Sequence, residues 1–223
     1  MARGPLRVGT WNLAGRWSAD HHDLMSEQSC DVWLLTEVSA EVALDGYAAH
    51  LTEAVMTGRR RWAAVFAREA LSPLPDPHPA SAAAVVKGLT YCSSILPWRS
   101  CGSEPPWEGS RHADKTAAAV AALVEVLPAT NRVWGGDWNH ALKGRESAGS
   151  GEGRRHLLDA ITALSLHVPT ATQPHQINGL LSIDHIGVPA DSNVTRSQHL
   201  KVQVNNRQLS DHDAYVVEFD SAT

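Results

Sequence analysis

Short apolar runs that break off in a polar group recur along this chain, alternating with segments whose apolar positions follow a helical spacing. Leu6 to Ala14, Asp31 to Val38, Ala83 to Leu96 and Val133 to Asn139 predict buried strands, because short, nearly continuous apolar runs suit strands covered on both faces. Tyr47 to Met56 and Trp62 to Arg68 read as a hairpin around Thr57-Gly58-Arg59. Leu71 to Pro79 carries four prolines; missing backbone donors exclude a central strand, so it reads as a surface loop. Ser18 to Gln28 predicts a polar helix, Asp114 to Leu127 a helix whose apolar positions are mostly alanine, and Arg154 to Leu166 a helix with Leu157, Leu158, Ile161, Leu164 and Leu166 along one stripe. A loop rich in Pro, Gly and Trp covers 97–112, and three further strands complete the expected order. Strands alternating with helices predict an α/β protein.

The 223 residues fit one domain, 1–223, able to bury roughly 70% of its unfolded surface. Met1 to Pro5 runs directly into a strand and no long apolar stretch follows, so the expectation is a cytoplasmic protein without a membrane span or signal region. Cys30, Cys92 and Cys101 form no Cys-x-x-Cys pair and read as reduced thiols. A net charge of −5 argues against a uniformly basic surface, which leaves local rims as the means of holding a polyanion. Candidates are Arg59 to Arg61, then Arg111, His112 and Lys115, then Lys143, Arg145, Arg154, Arg155 and His156. Trp98 and Trp107 could stack on bases, although packing is the commoner use of tryptophan.

Chemistry concentrates where the apolar runs end. In Gly136-Asp137-Trp138-Asn139, strand alternation would point Asp137 and Asn139 to one side and Trp138 to the other. The same tetrad also fits a strand closed by an Asx turn. Trp11-Asn12 and Thr36-Glu37 end two further runs, Asp184-His185 lies within the run Leu180 to Ile186, and Ser210-Asp211-His212 precedes the run Ala214 to Phe219. A carboxylate inside an apolar strand costs several kcal/mol unless paired or bound to a cation, so repeated sites of this kind call for a shared partner.

These five motifs, in this order and spanning residues 11 to 212, resemble the endonuclease/exonuclease/phosphatase superfamily. The resemblance implies a four-layer α/β/β/α sandwich, with two mainly antiparallel sheets face to face and helices outside. It also implies a Mg²⁺-dependent phosphoesterase, with Mn²⁺ as a possible substitute, that hydrolyses the phosphodiester bonds of DNA or RNA by in-line attack of water. Glu37 is then the first choice of metal ligand, with Asn12 and Asp211 completing or orienting its shell. Asp137 would orient the attacking water, Asn139 would donate to the scissile phosphate, and His212, held by Asp184, would serve as phosphate-binding and acid/base imidazole. His185 reads as structural, and His21-His22 as solvated surface rather than a zinc site.

One departure stands out. Many members carry a histidine or tyrosine ahead of the central helix, in a run such as Thr-His-Leu, whereas the strand here reads Thr90-Tyr91-Cys92-Ser93-Ser94-Ile95-Leu96-Pro97-Trp98-Arg99. Tyr91, Ser94 and Arg99 are candidates for that substrate contact, Arg99 foremost because its fork suits phosphate. Nucleic acid is the expected partner and no obligate protein partner is evident. The alternatives are a phosphatase or phosphodiesterase acting on a small soluble or lipid phosphoester, and a binding module that keeps the fold without chemistry.

Overall fold

A computed structural model describes residues 4–220. Its strands are β1 (Leu6–Asn12), β2 (Val32–Val38), β3 (Ala48–Leu51), β4 (Arg61–Ala67), β5 (Leu71–Pro73), β6 (Ser81–Val86), β7 (Leu89–Ile95), β8 (Arg132–Asp137), β9 (Leu166–His167), β10 (Asp184–Pro189), β11 (Asn193–Leu200), β12 (Gln203–Val204), β13 (Arg207–Gln208) and β14 (Ala214–Asp220). The helices are α1 (Ala19–Gln28), α2 (His112–Val126) and α3 (Gly151–Ala163).

One six-stranded sheet runs β11-β14-β1-β2-β4-β3 and another β5-β6-β7-β8-β10-β9, with β12 and β13 as a separate small ladder. Each large sheet has one parallel pair at its centre, β1 with β2 and β7 with β8, flanked by antiparallel neighbours. Parallel strands need a crossover connection, and α1 and α2 are those connections in sequence order.

Three apolar clusters match the spaces between four layers. Val8, Leu34, Val65, Ala84, Tyr91, Val133, Ile186 and Val217 fill the space between the two sheets. Trp11, Met25, Trp33 and Leu35 belong to the cluster on the α1 side of the first sheet. Cys92, Trp134 and Trp138 meet Ala119, Leu123, Leu157 and Ile161 of α2 and α3 on the far side of the second. Both faces of the central strands are therefore dry, which is why they read as continuous apolar runs. The four-layer sandwich expected from the sequence is the architecture found.

Element ends differ in ways the backbone explains. Helix α3 starts at Gly151 because the Ser150 hydroxyl accepts from the Gly153 N–H and caps it. Part of the proline-rich segment forms β5 at the sheet edge, pairing only with β6; an edge tolerates Pro73 where a centre would not. The last third contains β9 to β14 rather than three strands, the added ones being mostly two-residue pieces that carry too little pattern to read.

Candidate active site

The polar run-ends converge because of how the strands are directed. Asn12 ends β1, Glu37 lies near the end of β2 and Asp137 ends β8, while Asp184 opens β10 directly opposite Asp137. His212 lies two residues before the start of β14, which runs antiparallel to β1. The ends of both sheets thus deliver five side chains to one place.

Asn12 links the two sheets. Its Nδ2 donates to Asp137 Oδ2 at 3.0 Å and to Glu37 Oε1 at 3.2 Å, and its Oδ1 accepts from the Ala14 N–H at 2.9 Å. His212 Nδ1 donates to Asp184 Oδ2 at 2.8 Å, and its Nε2 lies 3.9 Å from Asp137 Oδ2. The loop carrying His212 is tied to β1, since Trp11 Nε1 donates to the His212 carbonyl at 3.1 Å and the Ser210 hydroxyl to the Asn12 carbonyl at 2.6 Å.

The tetrad around Asp137 takes the Asx-turn form. The Asn139 N–H donates to Asp137 Oδ1 at 3.0 Å, and Asn139 stands outside the strand at φ 51. Strand alternation therefore does not place Asn139 beside Asp137; the turn does, while Asn139 Nδ2 donates to the Leu96 carbonyl at 3.0 Å. Trp138 does face the opposite way, into the outer core against Trp134. Gly136 is required at φ 123, where a Cβ would lie 2.2 Å from the Ser94 carbonyl oxygen of β7.

Burial and opposite charge compete over these groups. Burial alone would lower the His212 pKa, but the charges of Asp184 and Asp137 and the hydrogen bond to Asp184 outweigh it and hold the imidazole up at about 10. Burial is the main cause that raises Asp137 to about 7, with Asp184 adding to it and the His212 charge opposing it. The neighbouring carboxylates thus favour the charged form of His212, while burial works against the charged form of Asp137.

Asp137, Asp184 and His212 offer ligand atoms within 4.8 Å of one another. Asp184 Oδ1 is buried and has no hydrogen-bond partner, which for a carboxylate marks a missing ligand. Hard oxygen donors of this kind fit a divalent cation. Of the set expected from the sequence, the Asn12 amide bonds both Glu37 and Asp137 of the cluster. Glu37 Oε2 is bound by Arg60 Nη1 at 2.5 Å, and Asp211 is exposed, with its Oδ1 facing the Ser210 hydroxyl at 3.4 Å.

None of the three substrate-contact candidates reaches the cluster. Tyr91 is buried between the sheets, the Ser94 hydroxyl accepts from Trp134 Nε1 at 2.9 Å, and Arg99 Nε and Nη2 both donate to the Gly149 carbonyl. The basic rims are thinner than the sequence implies: Lys115 is buried, donating to the Cys101 and Gly102 carbonyls, and Arg154 pairs with Glu146. Trp107 is packed edge-on against Trp62 and Trp98 rather than offered for stacking. His21, expected at the surface, is buried and stacked on Trp11 at 5.1 Å. His185 is structural as expected, donating from Nε2 to the His140 carbonyl and accepting from Thr170 Oγ1 at Nδ1. Sequence reasoning missed, among other pairs, Arg60 with Glu37 and His199 with Asp213 at 2.6 Å. Only the run Asp211-His212-Asp213 hinted at the second.

No protein-family model matches this chain, and no curated protein does. Solved structures do. An endonuclease/exonuclease/phosphatase from Beutenbergia cavernae matches 98% of this chain and 72% of its own, at a TM-score of 0.66 and 15% identity. The AP endonuclease LMAP of Leishmania major matches 98% and 89%, at 0.68 and 13%. TDP2 of D. rerio, complexed with a single strand DNA product, matches 98% and 100%, at 0.61 and 13%. The chain has the fold of the endonuclease/exonuclease/phosphatase superfamily.

Proposed function

We propose that this chain is a metal-assisted phosphoric ester hydrolase, and within that class a nuclease cleaving the phosphodiester backbone of DNA or RNA in a single domain spanning 1–223. The observation that carries the reading is the cluster of buried Asp137 and Asp184 with half-buried His212, standing where β1, β2, β8, β10 and β14 of this fold come together. The solved endonucleases with the same fold, and TDP2 complexed with a single strand DNA product, support a nucleic acid over a small ester.

Asp137 and Asp184 would hold the ion, which when bound supplies charge stabilisation of the phosphoryl oxygens; Mg²⁺ suits these oxygens and Mn²⁺ can replace it. Asp137, in its carboxylate form, would also orient a water and take its proton. Charged His212, kept in place by Asp184, donates from Nε2 to a phosphate oxygen or to the leaving oxygen. Asn139 spends one amide hydrogen on the Leu96 carbonyl and keeps a second for the phosphate. Asn12 holds the Asp137 and Glu37 carboxylates in register.

Incubation with single-stranded DNA, duplex DNA and RNA, in Mg²⁺, Mn²⁺ or EDTA, tests the reading. Asp137→Asn and His212→Ala should each lower the cleavage rate roughly 10²–10⁴-fold with circular dichroism unchanged. Cleavage of a nucleic acid should fall steeply with salt. Hydrolysis confined to small phosphoesters would reassign the substrate, and metal binding without any hydrolysis would make the chain a binding module.

A further inference from the structure

Glu37 lies next to Asn12 at the cluster's edge, yet a cation of this chain already holds it. Arg60 Nη1 stands 2.5 Å from Oε2, and Asn12 Nδ2 occupies Oε1. The pair is half-buried, with side-chain exposures of 30% for Arg60 and 22% for Glu37, so it is worth more than an open surface pair.

Three features seat the guanidinium. The Arg60 stem crosses Gly15, where a Cβ would lie 2.2 Å from Arg60 Cδ and where φ is +70. The Gly15 N–H donates to the Glu37 carbonyl at 2.8 Å, so the bare residue that makes room for Arg60 is anchored to Glu37 itself. Arg60 Nε also donates to the Thr57 carbonyl at 3.4 Å. Glu37 sits at φ 48, a conformation that a non-glycine residue keeps only when its surroundings hold it there.

We propose that Arg60 is the resident counter-cation of Glu37, and that a divalent ion must displace it to use that carboxylate. The inference rests on the metal-assisted reading of the cluster. It makes ion affinity at this site a quantity that Arg60 sets, rather than one set by the carboxylates alone. A charged guanidinium on a carboxylate is replaced only at the cost of its charge-assisted hydrogen bond.

Mn²⁺ binding, followed by calorimetry and by the electron paramagnetic resonance signal of free Mn²⁺, tests this without reference to turnover. Arg60→Met should bind Mn²⁺ on the order of tenfold tighter than the parent. Arg60→Gln, which keeps a hydrogen-bond donor without the charge, should show a smaller gain, and it serves if the Met variant fails to fold. Adding Glu37→Gln to either should abolish the gain. Unchanged or weaker binding in both Arg60 variants, or a gain that survives Glu37→Gln, overturns the proposal while leaving the metal site intact. No Mn²⁺ binding by the parent or any variant overturns it together with the metal-assisted reading.

Discussion

Replacing Asp184 with Asn tests the electrostatics of the cluster most directly. The carboxylate accepts from His212 Nδ1 at 2.8 Å and is the largest influence raising that imidazole, against a burial that lowers it. Holding His212 at about 10 instead of its ordinary 6.5 corresponds, at about 1.4 kcal/mol per pH unit, to a net stabilisation of the charged form on the order of 5 kcal/mol. With Asp184→Asn the nearer charge is gone and Asp137 remains at 3.9 Å, so His212 should titrate well below 10, back toward 6.5. Stability changes with the same sign. A base raised on folding stabilises fully below 6.5, and its contribution drains away as pH rises toward 10, because the unfolded chain releases its proton first. The parent should therefore lose about 1.4 kcal/mol of unfolding free energy per pH unit from this group between pH 7.5 and 9, and Asp184→Asn should show a flatter slope. The assay is a ¹⁵N-imidazole NMR titration in EDTA, joined to urea unfolding at the same pH values. A His212 ring already neutral at pH 8 in the parent, or one still titrating near 10 in Asp184→Asn, would refute the reasoning.

Three further outcomes are expected. His140 and His185 are lowered by burial to about 4, so they resist protonation when folded and stability should fall as pH drops from 6.5 toward 4. Asp137, raised to about 7, offsets one of the two, leaving a net loss of about 1.4 kcal/mol per pH unit in urea unfolding, to which His21, His78 and His175, also lowered by burial, add with the same sign; no loss between pH 6.5 and 5 would contradict this. Gly136→Ala should destabilise by about 1–3 kcal/mol, because its Cβ would strike the Ser94 backbone, and should lower any hydrolytic rate by moving Asp137; a thermal melt matching the parent would count against the pairing of Gly136 with Ser94 across β7 and β8. Cys30 and Cys92 are buried and pushed up to about 12, and Cys101 is buried as well, so a colorimetric thiol reagent at pH 8 should label all three slowly and label them fast only in denaturant.

Much of the fold was legible in the residues because the central strands are covered on both faces. Leu6 to Asn12, Val32 to Val38 and Arg132 to Asp137 read as apolar runs since most positions in them are buried, and the polar groups at run-ends singled out Asn12, Glu37, Asp137, Asp184 and His212 from the residues alone. The two-residue strands β9, β12 and β13 were not legible, because their pairing is decided by the partner rather than by periodicity. Nor could the sequence say what each named side chain touches. Tyr91 and Ser94 point into packing, Arg99 onto a loop carbonyl, and Lys115 inward, each a choice among partners distant in the chain. Arg60 on Glu37 is such a case: the guanidinium reaches that carboxylate only once β2 and the turn before β4 are brought together. Local pattern determined which groups stand at the ends of strands, because burial of those strands is a local requirement. Which of them meet, and with what charge, was left to sheet order and strand direction, because those alone fix distances between residues far apart in sequence.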